Sequence, residues 1–175
     1  MKSKILPFLI VTALAAGCVD IPDFDDTPVI YYNGISQSTE VDENTGKNVR
    51  ETVTITVDFE DGNGDLGTSP EERSDSNWKA PYGNWGNYEL VTARRGADGK
   101  WIEQILSEDQ FSWMPILKPD GKPGPLKGKL DKNSYFLYTG SSVPTWVRFK
   151  VRIRDRALHV SNQITTDSIL VPIPR

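Results

Sequence analysis

The chain has 175 residues, 24 Asp and Glu against 20 Lys and Arg for a formal charge of −4, one Cys and one His. One cysteine excludes a disulfide framework and an iron–sulfur cluster, one histidine excludes a His-rich zinc centre, and the acidic balance argues against nucleic acid as a partner. The length suits one domain, or one domain with large insertions.

Residues 1–17 read as an export leader. Lys2 and Lys4 form a short basic region, Ile5 to Leu14 is an apolar run too short for a stop-transfer helix, and Ala15-Ala16-Gly17 are small residues leading into Cys18. This stretch resembles a bacterial lipobox, which implies that Cys18 is acylated through its sulfur and becomes the mature N-terminus. The other reading is an ordinary signal peptide with a cysteine nearby. One acyl chain holds a membrane only marginally, so the three chains of a mature lipoprotein make the stable anchor. Without Lys2 and Lys4 the formal charge moves from −4 to −6. Residues 18–28 then read as the lipidated Cys and an acidic tether, with Asp20, Asp23, Asp25, Asp26 and two prolines. Such a segment buries too little apolar surface to fold, and ten extended residues reach at most roughly 35 Å. Acidic residues after the lipidated Cys resemble the surface-export signal of Bacteroidota lipoproteins. A solvated linker of a periplasm-facing lipoprotein is the alternative.

Residues 29–175 read as one β domain. Val29 to Ile35 supplies a first strand. Val53, Ile55, Val57 and Phe59 alternate with Thr52, Thr54, Thr56 and Asp58, the period of a strand with one buried face. That strand runs into Asp61-Gly62-Asn63-Gly64-Asp65-Leu66-Gly67. Asp61, Asn63 and Asp65 stand at alternate positions, so their oxygens could converge on one hard cation such as Ca²⁺ while the glycines let the backbone curl. Glu72 lies eleven residues after Asp61, as in a helix-flanked calcium loop, but the sixth position is Leu66 rather than Gly and a strand enters the loop, so an EF-hand is not expected. A plain glycine-rich turn closed by Asx side chains fits the same residues.

Further along, Tyr88 to Arg95 and Lys100 to Leu106 flank Gly96-Ala97-Asp98-Gly99, a hairpin signal, with a parity slip at Leu90-Val91 that predicts a bulge. Leu130 to Tyr138 is another strand. Val147, Phe149, Val151 and Ile153 alternate with Arg148, Lys150, Arg152 and Arg154, and Ile164 to Ile173 supplies the last strand. The basic stripe is expected to pair across strands with Glu89, Glu103 and Asp167. Seven short strands and no convincing helical period predict an all-β, antiparallel immunoglobulin-like sandwich, with Ser107 to Trp113 at most a turn or two of helix. Two segments, Thr68 to Gly86 and Ser107 to Lys129, have no strand pattern and are long loop insertions, where binding tends to be placed. Strand direction sends Asp61 to Gly67, Asp155 to Ser161 and Ser107 to Lys129 to one end of the sandwich, together with the tether. Asp155 is thereby expected beside the acidic turn, as a ligand or hydrogen-bond acceptor.

The order of an apolar β run, Asp-Phe-Glu-Asp-Gly-Asn-Gly-Asp-Leu-Gly, then Ile153-Arg154-Asp155-Arg156-Ala157-Leu158-His159-Val160-Ser161-Asn162 and a Thr-rich strand resembles uncharacterised Bacteroidota lipoproteins with an immunoglobulin-like or cadherin-like domain. The resemblance implies a non-enzymatic, surface-exposed outer-membrane protein and transfers no catalytic residues. The residues themselves give catalysis little support. A Ser-His-Asp arrangement would have to use His159 in a turn, and a close carboxylate pair arises easily among 24 acidic residues.

Trp78, Tyr82, Trp85 and Trp113 are the candidate binding residues of the two long loops. They could stack on sugar faces, anchor a protein interface, or fold back over the open end of the sandwich. Two functions follow: a structural or accessory subunit that docks onto an outer-membrane protein partner, or a glycan-binding surface lipoprotein of a nutrient-uptake system. Met114, Ile116 and Leu117 in the second loop favour docking.

Overall fold

The computed structural model describes residues 22–175; the leader, Cys18 and the first three tether residues lie outside the described residues. The chain forms β1 (Val29–Val41), β2 (Asn48–Asp61), α1 (Pro70–Ser74), α2 (Ser76–Lys79), β3 (Tyr88–Arg95), β4 (Trp101–Gln104), β5 (Leu126–Leu137), β6 (Ser142–Ile153), β7 (Ile164–Thr165) and β8 (Ile169–Pro174). One sheet has the order β1-β2-β5. The other runs β4-β3-β6-β7, with β8 also paired to β6, and all strand pairs are antiparallel. This is the expected all-β, antiparallel sandwich.

Period-two alternation builds the core. Val53, Ile55, Val57 and Phe59 of β2 face Val147, Phe149, Val151 and Ile153 of β6, all buried, and Phe136 meets Phe149 at 6.3 Å between ring centroids. On the outer face of the first sheet the intervening threonines bond across to β5, Thr54 to Asn133 at 2.8 Å and Thr56 to Asp131 at 2.6 Å. The β2–β5 register runs from Arg50↔Leu137 to Asp61↔Leu126 without a shift, so Asp61 is the last residue of a strand rather than part of a free turn.

Three expectations are corrected. β3 has no bulge at Leu90-Val91, since its register with β6 is continuous from Tyr88↔Ile153 to Arg94↔Val147. The parity slips because both faces are covered: Leu90 points into the core, while Glu89 and Ala93 are buried on the other face, where Arg148 stacks over Trp101 and Arg152 lies over Trp85. The expected last strand is two strands, making eight among the described residues. At the break, Thr166 is buried; its Oγ1 accepts the Phe149 N–H at 3.0 Å and its N–H donates to the Phe149 carbonyl at 2.9 Å. The first long loop is not structureless. Ser69 and Glu72 form a capping box that starts α1, with Pro70 in its first turn, and Asp75 caps α2.

The basic stripe is engaged. Lys150 pairs with Glu103 at 2.7 Å and Arg152 with Glu89 at 2.5 Å, as expected, whereas Asp167 accepts the Tyr32 hydroxyl instead. Arg154 stacks on Trp85, 3.9 Å from the ring centroid.

Candidate metal centre

β2 and β6 belong to different sheets and finish at the same end of the sandwich, β2 at Asp61 and β6 at Ile153. The loops that follow meet. Asp61, Asp65 and Asp155 each offer a carboxylate oxygen, and these oxygens all lie within 4.8 Å of one another. Asp61 and Asp155 are buried and Asp65 is half-buried.

Local backbone geometry explains how the turn is held. The Asp65 N–H is shared between Asp61 Oδ2 at 3.1 Å and Asn63 Oδ1 at 3.0 Å, and Gly64 takes φ +72°, which costs a glycine nothing. The Asn63 side-chain oxygen therefore closes the turn, and Asp155, expected beside the acidic turn, joins Asp61 and Asp65 in the cluster. On the other side, both Asp155 oxygens are engaged by His159, Oδ1 by its backbone N–H at 2.7 Å and Oδ2 by its Nδ1 at 2.8 Å. Leu158 adopts φ +71° so that the loop can close over Asp155. The 155–161 loop is pinned to the strand end, because Ser161 Oγ accepts the Ile153 N–H at 3.0 Å and its N–H returns to the Ile153 carbonyl.

Electrostatically the cluster is crowded. Burial, followed by the charges of Asp65 and Asp155, pushes the Asp61 carboxyl up to about 6. Burial and then the Asp155 charge also raise Asp65. Two carboxylate oxygens, Asp61 Oδ1 and Asp65 Oδ1, are out of solvent and accept no hydrogen bond.

The long loops close around this centre. Thr68 and Pro115 form a parallel bridge; the Thr68 N–H donates to the Met114 carbonyl at 3.0 Å, Leu117 N–H to Leu66 carbonyl at 3.2 Å, and Gly124 N–H to Asn63 carbonyl at 3.0 Å. Glu72, considered as a twelfth-position ligand, instead caps Ser69 and takes the Arg156 guanidinium. Trp78 stacks on Tyr82 and both meet Trp113, tilted or edge-on, with centroids 4.7 to 5.9 Å apart, and Trp85 lies against Arg154. These rings fold back on the end of the sandwich. Met114 is buried in the core and Leu117 packs against it, so of the three apolar residues expected to favour docking only Ile116 is exposed.

Sequence reasoning missed Arg156 and Asn87. The first follows Asp155 directly and could be located only once Glu72 was placed. Asn87 is buried and its Oδ1 accepts the Met114 N–H at 2.7 Å; a lone Asn before a strand carries no such signal. Also unexpected is the entry of the chain. The Asp25 carbonyl accepts the Gly62 N–H at 2.8 Å, and a Cβ on Gly62 would meet the backbone of Phe24 and Asp25. Part of the expected tether is thus packed against the acidic turn. Compared with protein-family profiles, curated proteins and solved structures, the chain matches none.

Proposed function

We propose that the chain is a non-enzymatic outer-membrane lipoprotein, anchored through Cys18 and facing the cell surface, that acts as a structural or accessory subunit docking onto an outer-membrane protein through the loop end of its sandwich. The observation that carries this reading is the contact between Gly62 and Asp25. From Cys18 to the docked Phe24 the chain has six residue steps, which reach at most roughly 22 Å. A lipid on Cys18 therefore keeps the loop end close to the bilayer, where membrane-embedded neighbours are. Phe111, Ile116, Leu158 and Val160 are exposed apolar side chains on these same loops, the kind of surface that a protein partner covers.

Glycan capture has less support. Stacking on a sugar needs an open ring face, and Trp78 stacks on Tyr82, Tyr82 meets Trp113 edge to face, and Arg154 lies over Trp85.

Photo-cross-linking in intact cells tests the proposal. Cross-linking residues at Ile116 and Lys122, on the loop end, should trap an outer-membrane protein, one at Asp98 in the opposite β3–β4 hairpin should not, and Cys18→Ser should release the chain into soluble fractions. Trapping at Asp98 alone, or membrane retention of Cys18→Ser at native levels, overturns it.

A further inference from the structure

Two carboxylates come from the end of β2 and its turn, and the third from the loop after β6, so three acidic side chains distant in sequence converge where nothing in the fold requires negative charge. Hydrogen bonding accounts for part of the arrangement. Asp65 N–H holds Asp61 Oδ2, and His159 holds Asp155. It does not account for Asp61 Oδ1, an oxygen out of solvent that accepts no hydrogen bond, on a side chain that is 0% exposed and is one of the three whose carboxylates converge. A buried acceptor without a partner is costly, and a buried charge without one more so. Of the cationic groups nearby, Arg156 reaches Glu72, Lys118 Nζ donates to the Gly124 carbonyl, and His159 Nδ1 is bonded to Asp155 Oδ2.

Oxygens bound to one Ca²⁺ at 2.3–2.6 Å lie at most about 5 Å apart, and the three carboxylates meet that limit as they stand, with ligand oxygens all within 4.8 Å of one another. The donors are all hard oxygens, which suits Ca²⁺ better than Zn²⁺, whose sites are built chiefly from Cys and His. Mg²⁺ demands near-ideal octahedral geometry and usually takes one or two carboxylates with several waters, whereas Ca²⁺ accepts three carboxylates in irregular loops.

We propose that Asp61, Asp65 and Asp155 form a binding site for one Ca²⁺ ion that ties the end of β2 to the loop after β6. The site is independent of the docking reading, because it needs neither the lipid nor a partner. Its affinity is expected on the order of 10⁻⁴ M, as in extracellular calcium modules.

The test uses the full chain, purified in detergent and stripped with a chelator. Calorimetric titration with CaCl₂ should show one ion per chain, and the melting temperature should rise with Ca²⁺ by mass action and less with MgCl₂. Asp65→Asn should weaken Ca²⁺ binding at least tenfold and, by relieving repulsion, melt higher than the unaltered chain in chelator. Asp61→Asn carries the risk of misfolding at a fully buried position, and the half-buried Asp65 keeps the test decisive. No binding heat and an unchanged melting curve at millimolar Ca²⁺ overturn the proposal, as does an Asp65→Asn chain with unaltered Ca²⁺ affinity.

Discussion

Replacing Gly67 by Ala probes the seam between the two long loops. Gly67 sits at φ +100°, and an added Cβ would be driven into the Pro115 carbonyl, 2.6 Å from its carbon and 2.7 Å from Ile116 Cα. Both neighbours are backbone, so no side chain can swing away. The positive φ alone costs a non-glycine residue about 1–2 kcal/mol. Clearing the clash requires parting Thr68 from Pro115, and this loses the bonds Thr68 N–H to Met114 and Leu117 N–H to Leu66, each about 1 kcal/mol net. The sum is about 3–4 kcal/mol, a large share of the 5–15 kcal/mol that holds a typical domain. At about 2–4 °C per kcal/mol for a chain of this size, Gly67→Ala should melt about 6–16 °C below the unaltered protein by circular dichroism. Gly46→Ala is the control, since Gly46 has φ +66° but nothing within 4 Å of an added Cβ; it should lose about 1–2 kcal/mol. Equal melting temperatures for the two variants would refute the reasoning, because the difference between them is the loop contact alone.

Burial pushes the Asp109 carboxyl up to about 6 despite Lys132 at 3.5 Å. A folded value above the unfolded 3.8 means that the folded state binds more protons between those pH values, so this residue's contribution falls as pH rises from about 4 to about 6, by at most about 3 kcal/mol, and is flat above; Asp109→Asn should flatten that slope in urea titrations run across the window, and an unchanged slope would count against it. Asn162 imitates a strand partner for the buried Ile30, accepting its N–H and donating to its carbonyl at 2.8 Å each. Asn162→Ala strands both groups and should cost about 2–4 kcal/mol, read as a lowered urea midpoint with unchanged slope; a loss under about 0.5 kcal/mol would show that water replaces the amide.

Strands with one wet face were legible. β2 and β6 alternate strictly because threonine or basic side chains face out while Val, Ile and Phe face in, so period and depth agree. β3 misled because Trp85, Trp101 and the stripe arginines cover its outer face, and a strand buried on both sides loses its alternation. The capping box Ser69-Pro70-Glu71-Glu72 was legible and passed over, since four residues of signal precede a helix of only five. At the acidic cluster, strand direction alone brought Asp155 to Asp61. What it left open was the fate of Asn63, because an amide two residues from Asp65 can close a turn or bind an ion, and the turn-closing bond to the Asp65 N–H, at 3.0 Å, shows only in the structure. Gly62 suggests turn flexibility in the sequence, yet the packed Phe24-Asp25 backbone is the reason no larger residue fits.

The way the loops are built bears on how they could bind. Long loops ordinarily lose entropy when a partner fixes them, at about 0.5–1.5 kcal/mol for each immobilised side chain. Here Leu66 and Met114 anchor the two insertions in the core, backbone bonds join them to each other, and Trp78, Tyr82 and Trp113 form a single aromatic cluster. Folding has already met most of that ordering cost. The exposed Phe111 and Ile116 thus stand on a fixed platform, so a modest apolar contact there yields more affinity than the same residues on free loops. On the proposed lipoprotein reading, a short lipid tether would act on the translational part of the cost, by holding the platform near a partner and raising the effective concentration. Rigid loops and a short anchor would then work on different components of the same association free energy, and weakening either one, by Gly67→Ala or by Cys18→Ser, should lower cross-linking at Ile116 without any change in the residues proposed to touch the partner.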